Sequence, residues 1–152
     1  MLVFGCLSVG AAGVAAIAEP VLIAVYWMLA GPVGMLITVR MLRRRETAFG
    51  LFVDGTSHWL IVVVLGVGVF GMPFVVGPEP GAFQTVWIGL CYLGFAWLER
   101  SAPVLGAAVV MIVAGVALAW SQAAQPNAWS ALITGVVLLV GGAVVRRRWL
   151  AT

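Results

Sequence analysis

The sequence has very few residues that could carry acid–base, nucleophilic or metal chemistry. It contains no lysine, one histidine, one aspartate and two cysteines. Cys6 and Cys91 lie in separate apolar runs, where we interpret both as small buried hydrophobes. One histidine and two distant cysteines cannot supply a zinc site of the usual ligand count, and haem with two histidine ligands is excluded. Without lysine there is no Walker-type phosphate loop. We therefore expect no metal and no cofactor.

Charge of either sign is also scarce. Only 9% of the residues are charged, 64% are hydrophobic, and the mean hydropathy is +1.17. A soluble domain is roughly half apolar and about a quarter charged, because it must cover its core with a polar shell. This chain has too few polar residues for such a shell. The composition predicts an integral membrane protein.

The apolar residues fall into six runs of 17 to 19 residues. A helix rises about 1.5 Å per residue and the hydrocarbon core is about 30 Å thick, so each run can cross a membrane once. The sequence predicts an all-α, polytopic membrane helix bundle forming a single domain over 1–152, with about six transmembrane helices arranged as three hairpins. The expected spans are 2–18, 21–39, 59–76, 82–98, 102–120 and 129–145.

The arginines indicate how these spans are oriented. If the chain starts in the cytoplasm, all eight arginines fall on the cytoplasmic side, as the positive-inside rule requires. We therefore expect a plasma-membrane protein with both termini in the cytoplasm, and arginines that face the anionic headgroups of the bilayer rather than a nucleic acid. The headgroup-facing residues are Arg40, Arg43, Arg44, Arg45, Arg146, Arg147 and Arg148.

The first apolar stretch allows two other interpretations. It is too long for one span, and Glu19-Pro20 is the natural break because proline cannot continue the helix hydrogen bonds. A five-span topology that starts outside also keeps every arginine inside and places Glu19 within the membrane. The residues "AIA" before Glu19 resemble a signal-peptidase site, although no basic residue precedes the apolar run.

The only aspartate and the only histidine lie four residues apart in "LFVDGTSHWL". They end the longest connection, the expected cytoplasmic interfacial loop over 40–58. The simplest interpretation is a turn at Asp54-Gly55, after which Asp54 or Ser57 caps the next helix. The functional alternative has Asp54 hold His58 in one tautomer and raise its pKa, which gives a proton acceptor near neutral pH.

Two spans carry helix-breaking residues in their interior. Pro32 falls in the middle of the second span and should kink it, so that neighbouring helices or water must satisfy the freed carbonyl. The segment 66–73 of the third span contains three glycines and Pro73. We interpret it as close packing with a kink. The alternative, a broken helix that lines a transport path, needs paired breaks in two related halves, and spans four to six show none.

Small residues four apart predict close contacts between helices, either within the chain or between copies. These pairs are Ala12 with Ala16, Gly115 with Ala119, and Ala131 with Gly135.

Three functions are compatible with these patterns. The scarcity of motifs favours a non-enzymatic accessory or assembly subunit, whose partner is another membrane protein. A small transporter or channel is the alternative, most readily as a homo-oligomer, with Pro32, the 66–73 segment and Glu19 along its path. A membrane enzyme that uses Asp54 and His58 on a lipid headgroup is the third hypothesis.

Overall fold

The described part of the chain is all-helical. In the computed structural model, 93% of the described residues are helical and none lies in a strand. A backbone that crosses lipid must satisfy its own N–H and C=O groups, and a helix does this within one segment. The described residues are 1–17, 22–23, 25–27, 29–34, 36–37, 40, 55–76, 80–121 and 123–150, with only the backbone described at 55–59, 70, 72–74, 76 and 148–150.

Five helices are delimited in these residues, and further helical residues occur between 22 and 40. Their ends carry the expected signals: Pro126 starts the last helix, where its missing N–H does no harm. A left-handed Arg100, with a φ of 49°, ends the third. The helices are α1 (Leu2–Ile17), α2 (Gly55–Val76), α3 (Gly81–Glu99), α4 (Ala102–Trp120) and α5 (Pro126–Leu150).

Among the described residues, three helices are long and apolar enough to cross a membrane. They are α3, α4 and the part of α5 from Pro126 to Arg147. The apolar helical stretches Leu2–Ile17 and Leu60–Val69 are shorter. The prediction of an all-α fold is confirmed, and these three helices support a membrane protein, whereas the number of spans stays a prediction.

Two helices extend beyond the apolar runs that predicted them. α2 begins at Gly55 and not at residue 59, so His58 lies in its first turn and the expected loop over 40–58 ends earlier. α5 includes Arg146–Arg148 instead of ending before them. Polar residues can continue a helix at the ends of a span because water and headgroups solvate them there.

α3 and α4 pack closely because glycines face the neighbouring backbone. A Cβ on Gly89 would lie 3.0 Å from the carbonyl oxygen of Ala108, and one on Gly115 would lie 2.9 Å from the nitrogen of Val86. The partner number falls as the α3 number rises, so the two helices are antiparallel. Small residues allow such close approach of helices in lipid.

α5 contacts α1, α3 and α4. It runs antiparallel to α1, since Gly5 faces Leu139 and Val9 faces Gly135. Of the predicted small residues, Ala12, Gly115 and Gly135 are buried, whereas Ala16 and Ala119 are exposed. Fully buried side chains in the core are Ala11, Ala108 and Met111.

α1 also contacts the helical residues between 22 and 40, and the two stretches are antiparallel. The hydroxyl of Tyr26 donates to the carbonyl of Leu7, with an oxygen–oxygen distance of 2.7 Å. Further along, a Cβ on Gly34 would meet the side chains of Leu7 and Phe4. A single helix over 2–39 cannot make these contacts. The described residues on either side of 18–21 are therefore antiparallel, and the number of spans stays a prediction.

Within the described contacts, α2 packs on α3 in an antiparallel hairpin, with Ile61 beside Gly94. Among the described atoms, a Cβ on Gly66 or Gly71 would meet nothing within 4 Å, so these two positions are not in close contact with α3. Two of the three glycines in the 66–73 segment are therefore not close-packed, contrary to the simple packing interpretation.

Candidate functional site

The described structure does not bring the predicted functional residues together. Glu19 and Asp54 lie outside the described residues, and His58 is described by its backbone alone. Pro32 lies in the helical stretch 29–34, with its side chain exposed. The pairing of Asp54 with His58 and the role of Glu19 therefore stay predictions.

The described arginines lie at one end of the bundle. Met1 contacts Gly141, five residues before Arg146 of α5, and Gly34, six residues before Arg40 in the sequence, contacts Phe4 of α1. Of the predicted headgroup-facing residues, Arg43–Arg45 lie outside the described part and Arg148 is described by its backbone alone. The exposed arginine side chains are Arg40, Arg100, Arg146 and Arg147.

A side-chain hydrogen bond from α3 satisfies a backbone carbonyl that lacks its usual donor within α2. Pro73 lies within α2 and has no N–H, so it cannot donate to the carbonyl of Val69, four residues earlier. The side-chain amide of Gln84 on α3 donates to this carbonyl instead, with an Nε2–O distance of 2.9 Å. An unpaired carbonyl in hydrocarbon is costly. Gln84 therefore takes the place of the missing backbone donor.

Trp87, about one turn after Gln84, makes a second contact with the α2 backbone. Its indole N–H donates to the carbonyl of Val64, with an Nε1–O distance of 3.2 Å. The ring lies against Gly68 so closely that any Cβ there would overlap it. Any side chain at residue 68 would therefore have to displace the Trp87 ring.

Two hydroxyl groups face each other between α3 and α5. Thr85 is fully buried, and its Oγ1 lies 2.5 Å from Oγ of Ser130 and 3.0 Å from the carbonyl oxygen of Gly81. Nearer the helix starts, the Oδ1 of Asn127 accepts from the N–H of Gly81 at 2.9 Å. The first N–H groups of a helix have no partner in that helix, so Asn127 caps α3 from its neighbour.

Thr134 lies one turn after Ser130 on the same face of α5. Its side chain is only 3% exposed, and its Oγ1 has no hydrogen-bond partner in the described structure. A buried hydroxyl without a partner costs about 1–3 kcal/mol. The Oγ1 of Thr134 is therefore the one buried polar side-chain atom of the described residues that has no hydrogen-bond partner.

We expect Thr134→Val to raise the free energy of unfolding by up to about 1 kcal/mol, since valine has the same shape and no unpaired hydroxyl. The matched control is Thr85→Val, which leaves Ser130 without its partner and should lower that free energy by about 1 kcal/mol. Reversible unfolding in mixed detergent micelles measures both. Equal destabilisation by the two changes would contradict the difference between the two hydroxyls.

An apolar groove of about 240 Å³ lies between α2 and α3, at the middle of α3 and in the first half of α2. Its walls are Leu60, Ile61 and Val64 on α2 and Leu90, Cys91 and Gly94 on α3, with Trp87 at the inner end. Leu60 is 65% exposed and Leu90 is 48% exposed, so the groove is open to the surroundings of the bundle.

The described residues offer little for catalysis. They contain no group of three or more His, Cys, Asp or Glu side chains that could hold a metal ion. Both cysteines are free thiols, and Cys6 is exposed on α1, so our expectation of burial is wrong for Cys6 and right for Cys91. The arrangement can join helices and accept an apolar molecule.

Sequence analysis did not single out Gln84 or Trp87 as functional. The signal that could have identified Gln84 is Pro73, because it frees the Val69 carbonyl and a neighbouring donor must satisfy that group. The sequence does not say which donor this is, because Val69 lies seven residues before the end of α2 at Val76, whereas Gln84 lies three residues after the start of α3 at Gly81.

Comparison of the chain with protein-family models, with curated proteins and with solved structures gave no match. The function of the protein is therefore inferred from its own residues.

Proposed function

We propose that this protein is a non-enzymatic accessory or assembly subunit that acts through its helix surfaces in the membrane. The observation that carries the proposal is that polar side chains within the bundle form hydrogen bonds between helices. The hydroxyls of Thr85 and Ser130 bond to each other, and the amide of Gln84 bonds to the α2 backbone. These groups hold helices together, whereas a transport path or an active site needs polar groups that face a ligand.

The surface of α4 fits the same proposal. A row of aliphatic side chains covers the side of this helix that does not face the bundle, and Trp120 at its end is 84% exposed. Such a surface is stable only against lipid or another apolar helix. The exposed aliphatic residues are Leu105, Val109, Val110, Val113 and Val116.

We also propose a topology in which the protein crosses the plasma membrane six times. Both termini then lie in the cytoplasm. The antiparallel packing of α1 on the residues between 22 and 40, of α2 on α3, and of α3 on α4 supports alternating crossings. The exposed arginines at one end support a cytoplasmic face in contact with anionic headgroups.

Native mass spectrometry of the protein, gently extracted from its own membrane, tests the proposed function. We expect a complex of fixed stoichiometry with a different membrane protein. The control is a second extraction in a chemically different detergent, since abundant proteins that are carried over by chance do not keep their ratio. A homo-oligomer without a partner in both detergents would contradict the proposal.

The second candidate function is a small homo-oligomeric transporter or channel. The break at Pro73 favours it, because the Val69 carbonyl becomes available to a ligand whenever the Gln84 side chain turns away. Pro32 and Glu19 are further candidates along such a path. Ion flux into proteoliposomes tests this function, and flux that Glu19→Gln leaves unchanged would remove its best ionisable group.

A further inference from the structure

The groove between α2 and α3 has the shape and position of a binding site for part of a lipid. We infer that it binds one acyl chain of an anionic phospholipid, whose phosphate lies beside Arg100. This inference does not depend on the proposed function, since any protein that crosses a bilayer can hold a lipid at a defined place.

The walls of the groove suit a hydrocarbon chain. The described lining is aliphatic apart from Cys91 and Trp87. The polar atom of Trp87 is already used, because its N–H donates to the Val64 carbonyl, so the indole presents an apolar ring to the groove. A ligand in this space therefore gains by removing apolar surface from contact with the surroundings and finds no partner for a polar group.

The length and volume of the groove match an acyl chain better than a partner helix. Trp87 and Gly94 are seven residues apart on α3, which is about 10 Å along a helix axis. A helix with side chains is about 10–12 Å across, and a groove of about 240 Å³ cannot accept one. The bonds of Gln84 and Trp87 to α2 also oppose a separation of the two helices that would admit a third.

Beyond the end of the groove nearest the arginines lies the positive charge of Arg100, beside the exposed Glu99. Leu90, Gly94 and Trp97 recur at helical spacing, so Trp97 continues the groove wall toward the end of α3, where it is 81% exposed. Tryptophan is typical of the headgroup level, and Arg100 follows with an exposed guanidinium that can bind a phosphate. An anionic lipid with one chain in the groove thus places its phosphate next to a positive charge.

Photo-crosslinking of the intact chain tests this inference. The protein is reconstituted in vesicles of phosphatidylcholine and phosphatidylglycerol that contain a trace of either lipid with a diazirine on its acyl chain. Irradiation and peptide mass spectrometry then locate the adducts. We expect the phosphatidylglycerol probe to label groove residues in preference to the exposed surface of α4, and to do so more than the phosphatidylcholine probe. Even labelling of both surfaces, or equal labelling by both probes, would overturn the inference.

Two pairs of variants separate the chain site from the charge site. Gly94→Leu fills the groove and should abolish its labelling, whereas Gly106→Leu on α4, where a Cβ meets nothing within 4 Å, should not. Arg100→Gln should lower groove labelling by the anionic probe about fivefold, and Arg147→Gln should change it little. Equal effects within either pair would contradict the site. The mapping on the unaltered protein decides the question even if Gly94→Leu fails to fold.

Discussion

Gly5→Leu is expected to separate α1 from α5 and to lower the free energy of unfolding by about 3 kcal/mol, the upper end of the usual cost of overpacking. A Cβ on Gly5 would lie 2.9 Å from the backbone nitrogen of Leu139 and 2.8 Å from its Cγ. The leucine side chain could move, but the backbone of α5 cannot, because α5 also packs on α3 and α4. The added side chain must therefore push α1 away.

The same helix offers the control for this prediction. Gly13 lies eight residues further along α1, is exposed, and would place a Cβ with nothing within 4 Å. Gly13→Leu should leave stability unchanged or raise it slightly, because leucine favours helix formation more than glycine does. Both variants are compared by unfolding in mixed detergent micelles, with far-ultraviolet circular dichroism to confirm helix content. A similar loss of stability in both variants would contradict the prediction that Gly5, and not Gly13, lies at a close contact between helices.

The kind of fold could be predicted from the sequence because the bilayer leaves few options. Long apolar runs with almost no charge must cross lipid, and there the backbone must be helical. The ends of the helices were harder to predict: α2 starts before its apolar run and α5 includes the arginines. At these ends water and headgroups solvate polar side chains, so composition does not mark where the helix stops.

The sequence predicted that helices pack closely at small residues, but not which helix faces meet. Small residues did identify close packing, but Gly115 is buried against α3 while Ala119, one turn later, is exposed. Which face of a helix meets a neighbour depends on the position of every other helix, and periodicity is weak when nearly all positions are apolar. For the same reason the pairing of Thr85 with Ser130 was not visible in the sequence, although the demand for a donor created by Pro73 was.

The bond from Gln84 to the Val69 carbonyl leads to the second large effect. Gln84→Met keeps the length of the side chain and removes the donor, so the partly buried carbonyl that Pro73 leaves free loses its partner. We expect the free energy of unfolding to fall by about 1–2 kcal/mol. If the role of Gln84 is to replace a missing backbone donor, the cost must depend on Pro73.

A double-mutant cycle makes that dependence measurable. Pro73→Ala restores an N–H four residues after Val69, so the helix can satisfy its own carbonyl. In this background Gln84→Met should cost less than about 0.5 kcal/mol, which gives a coupling energy of about 1 kcal/mol between two residues on different helices. Equal costs in both backgrounds would mean that Gln84 stabilises the protein through packing alone.

The control for this cycle is Trp87→Phe, which removes the neighbouring donor from α3. The Val64 carbonyl that Trp87 contacts lies four residues before Gly68, whose N–H is available to it within α2. Loss of the indole N–H therefore leaves no carbonyl unpaired, and the cost of Trp87→Phe should be the same in the unaltered chain as in the Pro73→Ala background. Coupling of Pro73 to Gln84 but not to Trp87 would show that the amide at position 84 stabilises the protein by replacing the donor that Pro73 lacks. General packing between α2 and α3 would not produce this difference.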